Sequence, residues 1–155
     1  MRPTVAEQLQ GTCRILEDVV APSVSEPFAR TILDGLVANL KMLSGALPAV
    51  PGFLRDDNEA TLRQLSGLRD VLQPSLAERI DQAAATSEPD VADVSALEER
   101  NRQLRELLSA AVCSEGLTAD MQAAIERHMI QRASRVPMRY VSTAPSSADT
   151  KTPRS

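Results

Sequence analysis

The side chains able to do chemistry in this sequence are few, and most stand apart from one another. There is one histidine, His128, and there are two cysteines, Cys13 and Cys113. Zinc-type centres draw His and Cys ligands from short, repeated spacings, and no such spacing joins these three. The six glycines are scattered singly, so no loop is rich enough in glycine to cradle a phosphate. No serine sits in the strand–turn–helix setting of a nucleophile elbow. Asp56 and Asp57 are adjacent carboxylates. Without a histidine or a third carboxylate at a recognisable spacing, they read as helix-cap residues rather than as a cation site. No carboxylate pair is singled out for acid–base work, which puts a carboxylate enzyme third among the functional readings.

One basic cluster remains. His128, Arg132 and Arg135 line up along one face of a helix, with Arg127 and Arg139 nearby. A guanidinium fork suits phosphate or carboxylate, so this stripe is a candidate anion site. Cations near a helix C-terminus also stabilise its dipole with no further purpose. Asn39 is the other residue that stands out, because it falls within an apolar arc. It reads either as a structural bond to a neighbouring helix end or as the polar anchor of a ligand pocket. Asn39, His128, Arg132 and Arg135 thus form the candidate ligand-binding set. No catalytic residue, metal ligand or cofactor is expected.

Helices must position these groups. Thr4-Val5-Ala6-Glu7 reads as a capping box opening a helix from about Val5 to Val20, which Pro22 ends. Cys13 lies in its apolar arc and is expected to be buried and inert. A second helix runs from near Ser25, with Pro27 in its first turn, to about Leu47. Its residues Phe28, Ile32, Leu33, Leu36, Val37, Leu40, Leu43 and Leu47 cover about half the circumference, which predicts a central helix touching several neighbours. Gly35, at the edge of that arc, permits close approach. Pro48 to Gly52 reads as a turn-forming linker, and Asp56-Asp57-Asn58-Glu59 as the cap of a third helix carrying Leu62, Leu65, Leu68 and Leu72. That helix stops or kinks at Pro74, and a shorter one follows from Ser75 to about Ala85.

Thr86 to Asp90 is the next break. Ser95 and Glu98 read as a capping box for a helix reaching about Cys113, with Gly116 as terminator. In it Val94, Leu97, Asn101, Leu104, Leu108 and Ala111 form a short heptad seam with Asn at a central position. In a parallel homodimer Arg100 and Arg105 would repel across the seam, so antiparallel packing inside the bundle is expected. Cys113 has no evident partner. The last helix runs from about Thr118 to Val136, with Met121, Ile125, Met129, Ala133 and Val136 as its apolar stripe. Pro137 breaks it, and Ser, Thr, Ala and Pro dominate from Ser142 onward.

The expected fold is therefore all-α, a single bundle of about five to six helices over residues 1–141, with a disordered tail at 142–155. Aromatic residues make up only 2%, namely Phe28, Phe53 and Tyr140, so the core is aliphatic and lacks the stacking platforms of single-stranded nucleic-acid binders. Residues 1–120 carry 11 basic and 19 acidic side chains, whereas residues 121–155 carry 6 and 2. An acidic body matches a DNA surface poorly, and no nucleic-acid partner is expected. Two cysteines are too few for a disulfide scaffold, and no apolar run approaches a membrane span; both point to a cytoplasmic protein without membrane or metal.

Arg2-Pro3-Thr4, Glu7, Leu16-Glu17, Val20 and Pro22, then Arg30, Leu36, Ala38-Asn39-Leu40, and finally Pro137 and Arg139-Tyr140, form a pattern of their own. It resembles a bacterial helical family of unknown function, encoded beside acyl-CoA dehydrogenases and aminoglycoside-phosphotransferase-like kinases. The resemblance covers mainly residues 2–47 and 135–140. It implies an accessory protein for an acyl-CoA or small-molecule kinase pathway, and it supplies no catalytic residues. The leading functional expectation is a non-catalytic interaction module that binds a partner protein or itself. The alternative is a binder of an acyl or CoA-like anion.

Overall fold

The computed structural model describes residues 3–137, and all regular structure among them is helical. Six α-helices follow one another: α1 (Val5–Ile15), α2 (Pro27–Ala46), α3 (Val50–Leu68), α4 (Pro74–Ala85), α5 (Val94–Val112) and α6 (Ala119–Arg135). The tail from Ser142, expected to be disordered, and Arg139 and Tyr140 lie outside the described residues. Among the described residues no helix is long and apolar enough to cross a membrane.

The first capping box forms as the sequence requires. Thr4 Oγ1 accepts from the Glu7 amide at 3.2 Å, and the Glu7 carboxylate accepts from the Thr4 amide at 2.7 Å. Pro22 does not stop the chain from coiling. A π-helical turn over Leu16–Val20 leads into a 3-10 turn at Ala21–Ser23, where proline sits in a first turn that needs no amide from it. Pro27 opens α2, capped by the Glu26 carboxylate, which accepts from the Phe28 and Ala29 amides.

Two boundaries differ from expectation, with consequences for the site. The segment around Pro48 is a single 3-10 turn, Leu47–Ala49, and α3 starts directly after it with Pro51 in the first turn. Asp56 to Glu59 therefore lie inside α3 rather than capping it. Likewise Asp93, not Ser95, caps α5, accepting from the Ala96 amide at 3.0 Å. Gly116 takes a positive φ of 97° beyond the end of α5, the left-handed conformation that glycine adopts without steric penalty.

The main core lies among α3 to α6. Leu65 and Leu68 of α3, Ile80 of α4, Leu104 and Ala111 of α5 and Ile125 of α6 are its buried members. Most of the seam on α5 is buried, as its spacing predicts, but it packs on α3 in parallel. Asn101 bonds to Asn58 near one end, and Val71 O lies 3.8 Å from where Gly116 would carry a Cβ at the other. Numbering rises together along both helices, because α4 runs back between them and the chain reverses twice. The antiparallel expectation is corrected on this point. It is α6 that opposes α3, with His128 beside Thr61 and Arg132 beside Asp57.

The helix expected at the centre is peripheral. α2 packs against α1 through a separate small cluster of Cys13, Ala21, Leu33 and Val37, with Cys13 buried as expected. One neighbour covers only a narrow stripe, so the rest of the broad apolar arc of α2 faces outward. Phe28 is 72% exposed, Ile32 48% and Leu36 54%. The centre belongs instead to α3 and α5, whose seams satisfy each other. Leu104→Ala should therefore destabilise the fold by about 2–5 kcal/mol, as cavity-forming core substitutions do. Phe28→Ala should change the stability of the unassociated chain, at high dilution, by less than about 0.5 kcal/mol. Urea titration of the two variants measures the difference, and equal losses would contradict this assignment of the core.

A candidate site in a buried polar seam

The 3–4 spacing of leucines on α3 continues through polar residues. Leu54, Asp57, Asn58, Thr61, Leu65 and Leu68 form one buried stripe, and the three polar members are completely shielded from solvent. A buried carboxylate is tolerable only when donors meet it. Asp57 Oδ2 accepts from Asn101 Nδ2 of α5 at 2.8 Å and from Arg132 Nε of α6, also at 2.8 Å. The Arg132 guanidinium additionally lies 5.8 Å from the ring centre of Phe53, within reach of a cation–π contact.

The network extends away from Asp57. Asn101 Nδ2 also donates to Asn58 Oδ1 at 2.9 Å, and Asn58 Nδ2 donates to Glu88 Oε1 at 2.8 Å and to the Leu97 carbonyl at 3.3 Å. Glu88 Oε2 pairs with the buried Arg100 at 3.6 Å, and Arg100 donates to the Ala83 and Thr86 carbonyls that close α4. Arg100 therefore stabilises a helix end within the chain. On the other side Thr61 Oγ1 lies 3.3 Å from His128 Nε2.

Of the candidates named from sequence, the structure brings two together. His128 is buried and Arg132 largely so, and both face a groove between α3, α5 and α6. Arg135 is exposed, and its Nε donates to the Gln131 carbonyl of its own helix, the dipole role open to it from the start. Asn39 is exposed on α2, far along the chain from this seam, and makes no side-chain bond to a helix end among the described residues. The stripe on α6 is also rotated from the expected one: Ile125 and His128 turn inward while Met129 and Ile130 turn out. The Asp57 carboxylate accounts for this rotation, since Arg132 can reach it only if its own face of α6 points to α3.

Asp57, Asn58, Thr61 and Asn101 were missed as a site. The signal was present in the heptad-like spacing running unbroken from Leu54 to Leu68, which makes a mid-helix reading of Asp57 more natural than a cap. Among the described residues no group of three or more His, Cys, Asp or Glu is gathered as a metal site. Burial holds the His128 imidazole below its ordinary value of 6.5; Asp57 opposes this shift, and Arg135 and Arg132 add to it. Compared with family models, curated proteins and solved structures, the chain matches none.

Two outcomes follow from this geometry. Asp57→Ala leaves Arg132 without its counter-ion and Asn101 with one of its two acceptors gone, so it should cost about 3–5 kcal/mol in urea unfolding. A loss below about 1 kcal/mol would show that the pair is not buried as described. The depressed imidazole means that the unfolded chain takes up a proton more readily than the folded one. Its stabilising contribution is complete above pH 6.5 and is lost as pH falls below that value. Between pH 7.5 and 5.5 the wild type should lose more stability than His128→Gln; parallel curves would refute the burial of His128.

Proposed function

We propose that this chain is a non-catalytic interaction module that associates through the exposed half of α2, its partner being a second copy of itself. One observation carries this reading: the half of α2 turned away from α1 bears no charge. Phe28, Ile32, Leu36 and Asn39 lie along it, flanked by Thr31, Gly35 and Ala38. The charged residues of the helix gather on the other flank, where Arg30 pairs with Asp34 and Lys41 with Glu17. Surface helices normally present charge to water, and depletion of charge marks the centre of interfaces.

The dimensions suit a weak pairwise contact. The uncharged face is open from Phe28 to Asn39, since Ala46 further along it is buried. Half the surface of a rod roughly 18 Å long and 10–12 Å across is about 300 Å² per copy, hence about 600 Å² for two, below the roughly 1,000 Å² of stable complexes. Asn39 favours a like partner, since one amide both donates and accepts. A two-fold arrangement that sets Asn39 against its own copy satisfies both groups within an apolar seam, as register-setting Asn residues do. Nothing lies within 4 Å of the position a Cβ would take on Gly35, so that stretch has room for a close helix.

Light scattering coupled to size exclusion tests the proposal on the full chain. A concentration-dependent dimer is expected, with Ile32→Glu monomeric and otherwise folded, because that side chain is half exposed in the single copy. A wild-type monomer, or a dimer indifferent to Ile32→Glu, would reject self-association. A monomer that instead captures an acyl-CoA dehydrogenase or a small-molecule kinase through the same face would point to the accessory role that the family resemblance implies.

A further inference from the structure

The groove between α3, α5 and α6 has a composition of its own and lies apart from the face of α2. Its volume is about 380 Å³, within the range of roughly 300–1,000 Å³ usual for small-molecule sites. Leu108, Val112, Ile125 and Met129 form apolar walls. The charged side chains lining it are Arg105 and Arg132, and no carboxylate lines it among the described residues.

The two arginines are unequally engaged. Arg132 gives its Nε to Asp57, and its two terminal nitrogens donate to no acceptor among the described residues. Arg105 is exposed and forms no hydrogen bond or ion pair among them. The charge of Arg132 is offset by Asp57, so the groove offers about one uncompensated positive charge, beside apolar walls. His128, kept neutral at pH 7 by its burial, adds none. A single negative charge on a hydrocarbon body is the complement. A phosphate monoester would bring nearly two charges to a site balanced for one.

We propose that this groove binds a small amphipathic carboxylate, its head group on Arg105 and the free end of Arg132 and its tail along Leu108, Val112, Ile125 and Met129. The planar fork of each guanidinium matches the two oxygens of a carboxylate. The Asp57 contact holds Arg132 in place before any ligand arrives, so little ordering remains to oppose binding.

The groove carries its own reporter. Cys113 is exposed and lines it, whereas Cys13 is buried, so a thiol reagent such as DTNB reads Cys113 alone in the folded chain. Saturating decanoate should slow that reaction at least about tenfold in the full-length protein, while decanol, with the same tail and no charge, should not. Arg105→Gln should raise the decanoate concentration needed by roughly tenfold or more, the worth of a charge-assisted contact, with an unchanged helical circular dichroism spectrum. No slowing by decanoate would overturn the proposal, as would equal protection by decanol or protection unchanged in Arg105→Gln. A thiol already protected with nothing added would also overturn it, because the groove would then be covered by the protein itself.

Discussion

A carboxylate removed from water must be met by donors, and in this protein that requirement falls on Asp57. Desolvating such a charge costs several kcal/mol, which its partners must offset within a fixed geometry. The two groups that do so, Asn101 and Arg132, stand on different helices, and both reach the same oxygen. One atom therefore constrains the height of α5 and the rotation of α6 relative to α3. Leucines alone would hold the arrangement less sharply, since the hydrophobic effect has no direction. A hydrogen bond is lost within an ångström.

From Asn101 the constraint spreads along the chain. Asn58, Glu88 and Arg100 pass it to the last carbonyls of α4, so the loop between α4 and α5 is tied to the middle of α3. Below that level the packing is purely aliphatic, built on Leu65, Leu68, Leu104 and Ala111. The bundle thus divides its labour along its length. Its polar end sets register and its apolar end supplies most of the burial, in proportion to area. Glu7 and Glu26 reinforce the opening helices at the surface, each held below the usual carboxylate range by the backbone amides it accepts from.

The outward surfaces follow from the same arrangement. Half-exposed Met129 of α6 forms part of the groove wall, and Arg105 of α5 stands on its rim without a partner among the described residues. At the other end of the chain, α1 is too narrow to cover α2, and α3 to α6 already satisfy one another. The apolar half of α2 is left over. Two surfaces of different chemistry result: one neutral and elongated, suited to another helix, and one concave with a cation, suited to a small anion.

By itself the sequence determined the helical class, the approximate extent of six helices, the capping box at Thr4, the burial of Cys13 and the seam on α5. All of these rest on spacing within one segment, where 3.6 residues per turn converts pattern into geometry. It also marked His128, Arg132 and Asn39 as unusual. It did not reveal that Asp57 is the group Arg132 serves, nor that α2 lies at the edge. A cap and a buried mid-helix carboxylate use the same residue types, and a broad apolar arc looks the same whether its partners are in this chain or in another. Those choices were decided only in three dimensions, because they depend on which helices compete for contact and on where a single buried charge finds its donors.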